Sequence, residues 1–408
     1  MSSGKGGVGK TTFAVNFALT LARHAPTVLV DLDTGTSSVR NLIPAEVTHD
    51  LYHFKRRGVP LRDCITRLDS RLDPDGSYGN FGFIAGPRNF IQEIANPDAA
   101  FRRHLAQEIN RLPAEYVVLD LRAGLDENVL DFLPYTNSGI LVFTPQHPAA
   151  TRAASDIVKA ILFRSLRILF ARDSFFYAQQ GMERYFHFIN DMLDKVEDVY
   201  DPSLQNLDTF LVELGEALGD HPILHALGDT LEAFRVYYVL NMFNGVEEGF
   251  QQAVVPFVEN LTQNVSARLN LTHLGWIVAD DRIHRANCSG FPAMLERRRP
   301  PEAAPRPAVD PVMAELERLS SAALGLRRPE PRPFVERRQH VVPAPAPPAD
   351  LLDGQLQTLK AMYTDRTQDT VRENFSYLAY RAMNLMSAGY GPNEFGATHL
   401  AAPERLLE

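Results

Sequence analysis

Between residues 27 and 278 the chain carries a series of short, nearly uninterrupted apolar runs, each closed by a polar or turn-forming residue: Thr27–Val30, Phe81–Ala85, Tyr116–Leu119, Gly139–Thr144, Val236–Leu240 and Leu274–Val278. Runs of this length without polar alternation are the pattern of strands buried on both faces, as in a parallel sheet. Between them, apolar positions recur with helical spacing. They predict helices over Thr11–Arg23, Pro97–Arg111, Leu125–Phe132, Thr151 to about Phe163, and Gln251–Leu269. Alternation of buried strands and amphipathic helices predicts an α/β fold, a mostly parallel sheet with helices on both faces.

Two stretches break that rhythm. Residues 164–235 lengthen one crossover well beyond the usual connection, with aromatic residues (Phe170, Phe175, Phe176, Tyr177, Tyr185, Phe186, Phe188) and helical spacing at Phe186, Ile189, Met192 and Leu193. They are expected to form a helical insertion, either a small subdomain with its own core or a surface on which a partner docks. After about residue 296 the composition shifts. Prolines crowd into Pro300–Pro348, and arginines outnumber acids between Arg297 and Arg338. This predicts an extended, solvated linker over 297–350, with a short helix at Pro311–Leu326. A helical C-terminal extension follows over 351–408. In it, Val371, Phe375, Leu378, Ala379, Ala382, Leu385 and Met386 share one face of a predicted helix at Thr370–Ser387, which suits docking on a partner protein or within the chain itself, with a membrane surface as the lesser alternative. The nucleotide-binding part is thereby divided into 1–163 and 236–296.

Composition narrows the function. The net charge is −9, so a nucleic-acid coat is not indicated, although the arginine clusters of the linker suit nonspecific DNA or an acidic membrane surface. The two cysteines, Cys64 and Cys288, are too far apart for a CxxC metal site and too few for a disulfide framework. No apolar run approaches the ~18 residues that span a bilayer. These features predict a cytoplasmic protein, with peripheral membrane association as the variant.

The chemistry is concentrated in the first twelve residues. Gly4, Gly9, Lys10 and Thr11 fit the G-x-x-x-x-G-K-[ST] phosphate loop. Glycines let the backbone wrap a polyphosphate with its N–H groups inward, and the following helix offers its positive end. Lys10 supplies charge to the β- and γ-phosphates, and the Thr11 hydroxyl reaches Mg²⁺. Gly6, Gly7, Val8 and Thr12 complete the cradle. Only Met1, Ser2 and Ser3 precede Gly4, so the strand that normally feeds such a loop is expected to be missing, and a truncated start is the favoured reading.

Lys5-Gly-Gly-Val-Gly-Lys10-Thr11 resembles the deviant Walker A motif of the MinD/ParA family of P-loop ATPases, of the SIMIBI-like class. Val28–Gly35 resembles that family's second strand and first switch. Asp120-Leu-Arg-Ala-Gly124 is similar to its Walker B and second switch, with Arg122 where members commonly carry Pro or Gly. Leu125–Phe132 is most similar to the MinD and FlhG branches. The resemblance implies ATP and Mg²⁺ as ligands, and a homodimer formed through ATP, with Lys5 reaching the partner's nucleotide. It also implies weak hydrolysis until an activator or cargo protein docks on the insertion or tail. By the same resemblance Lys5, Lys10 and Asp33 are the catalytic candidates, Asp33 orienting water. Thr11, Asp31 and Asp120 hold the metal, Gly124 approaches the γ-phosphate, and Asn241 reads adenine. The implied function is an ATP-driven switch in the spatial positioning or partitioning of a cellular structure. The alternative is a nucleotide-dependent scaffold with negligible turnover.

Overall fold

A computed structural model describes residues 1–33, 38–134, 136–172, 185–198, 204–296, 349–364 and 370–386. Met1–Leu295 and Pro345–Glu408 make up one unit. The predicted helix at 311–326, the linker arginines, Phe175, Phe176 and Tyr177 lie outside the described residues.

Every apolar run becomes a strand. β1 (Thr27–Leu32) pairs in parallel with β3 (Phe81–Ile84) on one side and β4 (Tyr116–Leu121) on the other, and a two-residue β2 (Thr66–Arg67) adds antiparallel to β3. The order β2-β3-β1-β4 is followed by a second group, β5 (Asn137–Phe143), β6 (Arg235–Phe243) and β7 (Asn270–Val278), all parallel. The buried patterns of β1 and β3 have no exposed position, as the unbroken apolar runs require.

No regular strand precedes the phosphate loop, as expected; Met1–Ser3 nonetheless bridge the two groups, with Ser2 in an isolated parallel bridge to Leu141. The Met1 nitrogen donates to the Leu119 oxygen at 2.7 Å and Leu121 N–H to the Met1 oxygen at 3.2 Å. On the other side Ser2 N–H donates to the Ile140 oxygen at 3.1 Å and Val142 N–H to the Ser2 oxygen at 3.0 Å. Three residues therefore satisfy the facing edges of β4 and β5 and deliver the chain into the phosphate loop between them.

The principal helices are α1 (Lys10–Ala22), α2 (Ala99–Ile109), α3 (Pro148–Leu169), α4 (Phe186–Glu197), α5 (Leu207–Leu218), α6 (Pro222–Ala233), α7 (Val255–Asn264), α8 (Asp281–Ser289), α9 (Ala349–Thr364) and α10 (Val371–Met386). α1 is apolar nearly all round and is buried along its length beside β1 and β4, whereas α4 shows one apolar stripe. A π-type turn at Phe250–Val254 leads into α7 just ahead of Pro256, whose ring cannot follow a regular helical turn.

The insertion, α4 to α6 and the end of α3, does not keep a core of its own. Ile189, Leu193, Leu207, Phe210 and Leu231 belong to the same buried cluster as Ile157 and Ile161 of α3 and Phe257 of α7.

The C-terminal helices complete the sheet, which is what the apolar face of the predicted 370–387 helix foretold in kind. β7 is the last strand of its group, and an uncovered edge strand invites foreign pairing. Here its backbone groups receive side chains of α9 and α10. Gln355 Nε2 donates to the Leu271 oxygen at 3.2 Å, and Arg381 to the His273 oxygen at 2.8 Å. Asn374 Oδ1 accepts from Val278 N–H at 3.0 Å. Leu378 lies so close to Gly275 that a Cβ there would meet it at 2.8 Å, so glycine is what lets the helix seat.

Candidate nucleotide-binding site

The loop between Met1–Ser3 and α1 sits at the carboxyl ends of the parallel strands, where open α/β sheets bind ligands. Gly7 and Gly9 have φ of 84° and 79°, left-handed values that turn successive amides to one side as an anion-binding concavity. Gly9 is the N-cap of α1, and no side chain caps its first turn, so those N–H groups face the loop. Gly4 packs against the backbone of Ala153 in α3. Lys5, Gly6 and Gly7 are exposed, and the Lys5 carbonyl accepts from Ser3 Oγ at 3.1 Å.

Below the loop is a buried charge cluster. Lys10 Nζ donates to Asp120 Oδ1 at 2.5 Å, with side chains 5% and 0% exposed. Asp31 stands directly across from Asp120 in the β1–β4 register and is equally buried. Its oxygens accept from the N–H groups of Asp33 (3.2 Å) and Gly86 (3.4 Å). Burial raises the Asp33 carboxyl above the ordinary aspartate range, with Lys10 and Arg122 pulling it down and Asp120 pushing it up. Lys10, Asp31, Asp33 and Asp120 are thus neighbours at the ends of β1 and β4.

Thr11 and Thr12 begin α1 half-buried, and Thr12 Oγ1 donates to Asn287 Oδ1 of α8 at 3.3 Å. Gly124, φ 123°, spends its N–H on the Ser3 oxygen at 3.2 Å. Arg122 pairs with Asp126 and donates to the Ala95 oxygen at 3.2 Å. Asn241 reaches the loop itself: its Nδ2 donates to the Val8 oxygen at 2.7 Å.

Some of this was invisible in the sequence. Gly86 follows no motif and meets the site only through the end of β3, and Asn287, within the Asp280–Pro292 segment that resembles the family's closing segment, was not singled out by its residue type. Asn16 is another such residue: its Nδ2 donates to the Thr12 oxygen at 2.8 Å and its Oδ1 accepts from Met294 N–H at 2.9 Å. A polar residue inside an apolar helix was the one available signal for it.

The donor set suits a magnesium ion brought with a polyphosphate. Asp120 Oδ2 is buried without a hydrogen-bond partner, and hard carboxylate and hydroxyl oxygens are what such an ion takes. Among the described residues no group of three His, Cys, Asp or Glu side chains is gathered to hold a metal alone. Mg²⁺ in phosphate-loop sites characteristically leans on phosphate oxygens and water.

A left-handed glycine loop capping a helix at strand carboxyl ends, above a buried lysine–aspartate pair, defines a P-loop nucleotide-binding domain of the α/β class. The chain belongs to the CobQ/CobB/MinD/ParA nucleotide-binding family, whose profile matches residues 1–290. It is similar to a putative septum site-determining protein MinD of Oltmannsiellopsis viridis, 29% identical over 147 residues, 36% of this chain and 44% of that one. It is also similar to MinD of Helicobacter pylori, 27% identical over 198 residues, 47% of this chain and 65% of that one. A cytosolic Fe-S cluster assembly factor NUBP2 homolog of Culex quinquefasciatus is 30% identical over 168 residues, 40% of this chain and 61% of that one. The matched stretch of this chain spans about half the length of the first of these relatives.

Proposed function

We propose that the chain is an ATP-driven switch of the MinD/ParA type that positions or partitions a cellular structure. The observation that carries this reading is the buried Lys10–Asp120 pair beneath the Gly7–Gly9 concavity, with the second Asp120 oxygen unpartnered. In this reading the loop amides and the first turn of α1 receive the phosphates of ATP, and Lys10 swings its charge from Asp120 to the β- and γ-phosphates. Thr11 and Asp120, with Asp31 behind them, hold Mg²⁺, which when bound screens the phosphate charge. Asp33, half-buried at the end of β1, accepts a hydrogen bond from the attacking water and orients it in line. Lys5, exposed on the loop, reaches the nucleotide of a second copy, so binding and dimerisation are coupled. A protein activator or cargo docks on α4–α6 or the tail, and DNA or membrane contact falls to the linker arginines.

One observation favours the scaffold alternative, in which turnover is negligible: the Gly124 amide, the group implied to approach the γ-phosphate, is held by Ser3, and Arg122 is held by Asp126. A cluster-carrier role fits less well, because Cys64 is buried, its thiol pushed up to about 11, and Cys288 is exposed on α8. The test is steady-state ATP hydrolysis with Mg²⁺, alongside binding of a fluorescent ATP analogue, for the protein, Lys10→Ala and Asp33→Ala. Binding lost in Lys10→Ala, with turnover lost but binding kept in Asp33→Ala, is the expected pattern. Binding with equal background turnover in all would select the scaffold. No binding by the unaltered protein would end the nucleotide reading.

A further inference from the structure

Asn241 ties the phosphate loop to the end of β6. It is 8% exposed, and its Nδ2 donates to the Val8 oxygen at 2.7 Å. The fit is tight enough that a Cβ on Gly9 would come within 2.4 Å of that nitrogen. In a trans peptide the C=O and the following N–H point in opposite directions. Holding the Val8 oxygen from one side therefore turns the Gly9 N–H to the other. A flipped Val8–Gly9 peptide would withdraw that N–H and put a carbonyl oxygen where phosphate oxygens belong.

The backbone next to Asn241 is distorted in support of this contact. Met242 has φ 53°, the one left-handed non-glycine residue among those described. The register of β6 on β7 shifts between Leu240 and Phe243, around the same two residues. Bulges re-aim a side chain, and a left-handed methionine persists only where its surroundings impose it. Met242 also packs toward the loop, its methyl 3.8 Å from the position of a Gly9 Cβ.

We infer that Asn241 is a positioning residue for phosphate binding, orienting the Val8–Gly9 peptide so that its N–H is presented to the phosphates whatever base they carry. The inference rests on the proposed nucleotide-binding reading. It adds to the base contact implied by resemblance a role that does not involve the base: one Nδ2–H is spent on Val8, while the second N–H and Oδ1 remain for other contacts.

The experiment is calorimetric binding of ATP, GTP and inorganic tripolyphosphate, each with Mg²⁺, to the full chain, to Asn241→Ala and to the near-isosteric Asn241→Asp, which replaces the donor with a second acceptor. Melting curves without ligand separate loop positioning from loss of fold. The expected result is a loss of roughly tenfold or more in tripolyphosphate affinity, the range of one hydrogen bond to a poised group. ATP and GTP should weaken by the same factor, with the loss larger in Asn241→Asp, whose buried carboxylate facing the Val8 oxygen also lowers melting, while Asn241→Ala loses affinity and stays folded at the binding temperature. Unchanged tripolyphosphate affinity would overturn the inference, and if ATP alone weakened, Asn241 would be a base reader only. Should the unaltered protein bind none of the three, the nucleotide-binding reading falls and takes this one with it.

Discussion

At the scale of single residues, the site is a buried set of charges that need one another. Lys10 and Asp120 are both out of water, so removing the ammonium strands a carboxylate in the core. Lys10→Ala is expected to cost about 3–5 kcal/mol in urea unfolding, and Lys10→Met with Asp120→Asn much less, because no unpaired charge remains. Asp33 behaves oppositely. Its folded carboxyl is raised by burial, so its ionisation opposes folding: its contribution is full below the unfolded value and is lost as pH rises through the folded one. Asp33→Asn should therefore stabilise the protein slightly at neutral pH while removing turnover. In the proposed ATP-hydrolysing reading, the pH–rate curve of the unaltered protein should fall on the acid side at a midpoint above the ordinary aspartate range. The thiols offer a third check. Cys64 is buried with its acidity pushed to about 11 by burial and by Asp50 and Asp63, so alkylation of the native protein near neutral pH should label Cys288 and spare Cys64.

At the scale of elements, α10 shows how much of a helix is legible and how much is not. Its apolar stripe was plain in the sequence, and Val371, Phe375, Leu378, Ala379 and Ala382 are its buried face, whereas Leu385, read onto the same stripe, is exposed and the polar Asn374 is buried with it. What it covers was not plain, because the complementary groups lie about a hundred residues or more away: Gly275 and Val278 on β7, and Phe13 on α1, whose ring centroid is 5.7 Å from that of Phe375. Phe375→Ala is expected to cost about 3–5 kcal/mol by thermal or urea unfolding. Tyr380→Ala, at a side chain 62% exposed on the opposite side of the same helix, should change stability by less than about 0.5 kcal/mol. Strand ends were read less well than strand centres. β6 runs on past Leu240 through Asn241 to Phe243, because the polar residue that ended the apolar run is satisfied by the phosphate loop rather than by solvent.

At the scale of the whole molecule, the parallel sheet was legible because strands buried on both faces write continuous apolar runs. The antiparallel β2 was not, being two residues long with neither fully buried. Nor was the central bridge of Met1–Ser3, where polar serines are buried by backbone pairing on both sides rather than by side-chain character. The C-terminal helices belong to this same sheet in energetic terms. Tyr238 hydroxyl donates to Gln355 Oε1 at 2.6 Å in the interior, and Tyr237 hydroxyl to the Leu385 oxygen at 3.0 Å. A chain ending at Glu296 would leave the Tyr238 hydroxyl without that acceptor and Val278 N–H without Asn374. It would also bare the apolar surface that Phe375, Leu378 and Leu359 cover. Unpaired buried groups cost stability, and a bare edge strand beside an apolar patch associates. Residues 1–296 alone should therefore melt lower or less cooperatively than the full chain and form larger species by light scattering. A peptide spanning 345–390, added in trans, should reverse both. If 1–296 stayed monodisperse and melted like the full chain, α9 and α10 would be passengers, and the hydrogen bonds they make along β7 would have no part in holding the fold.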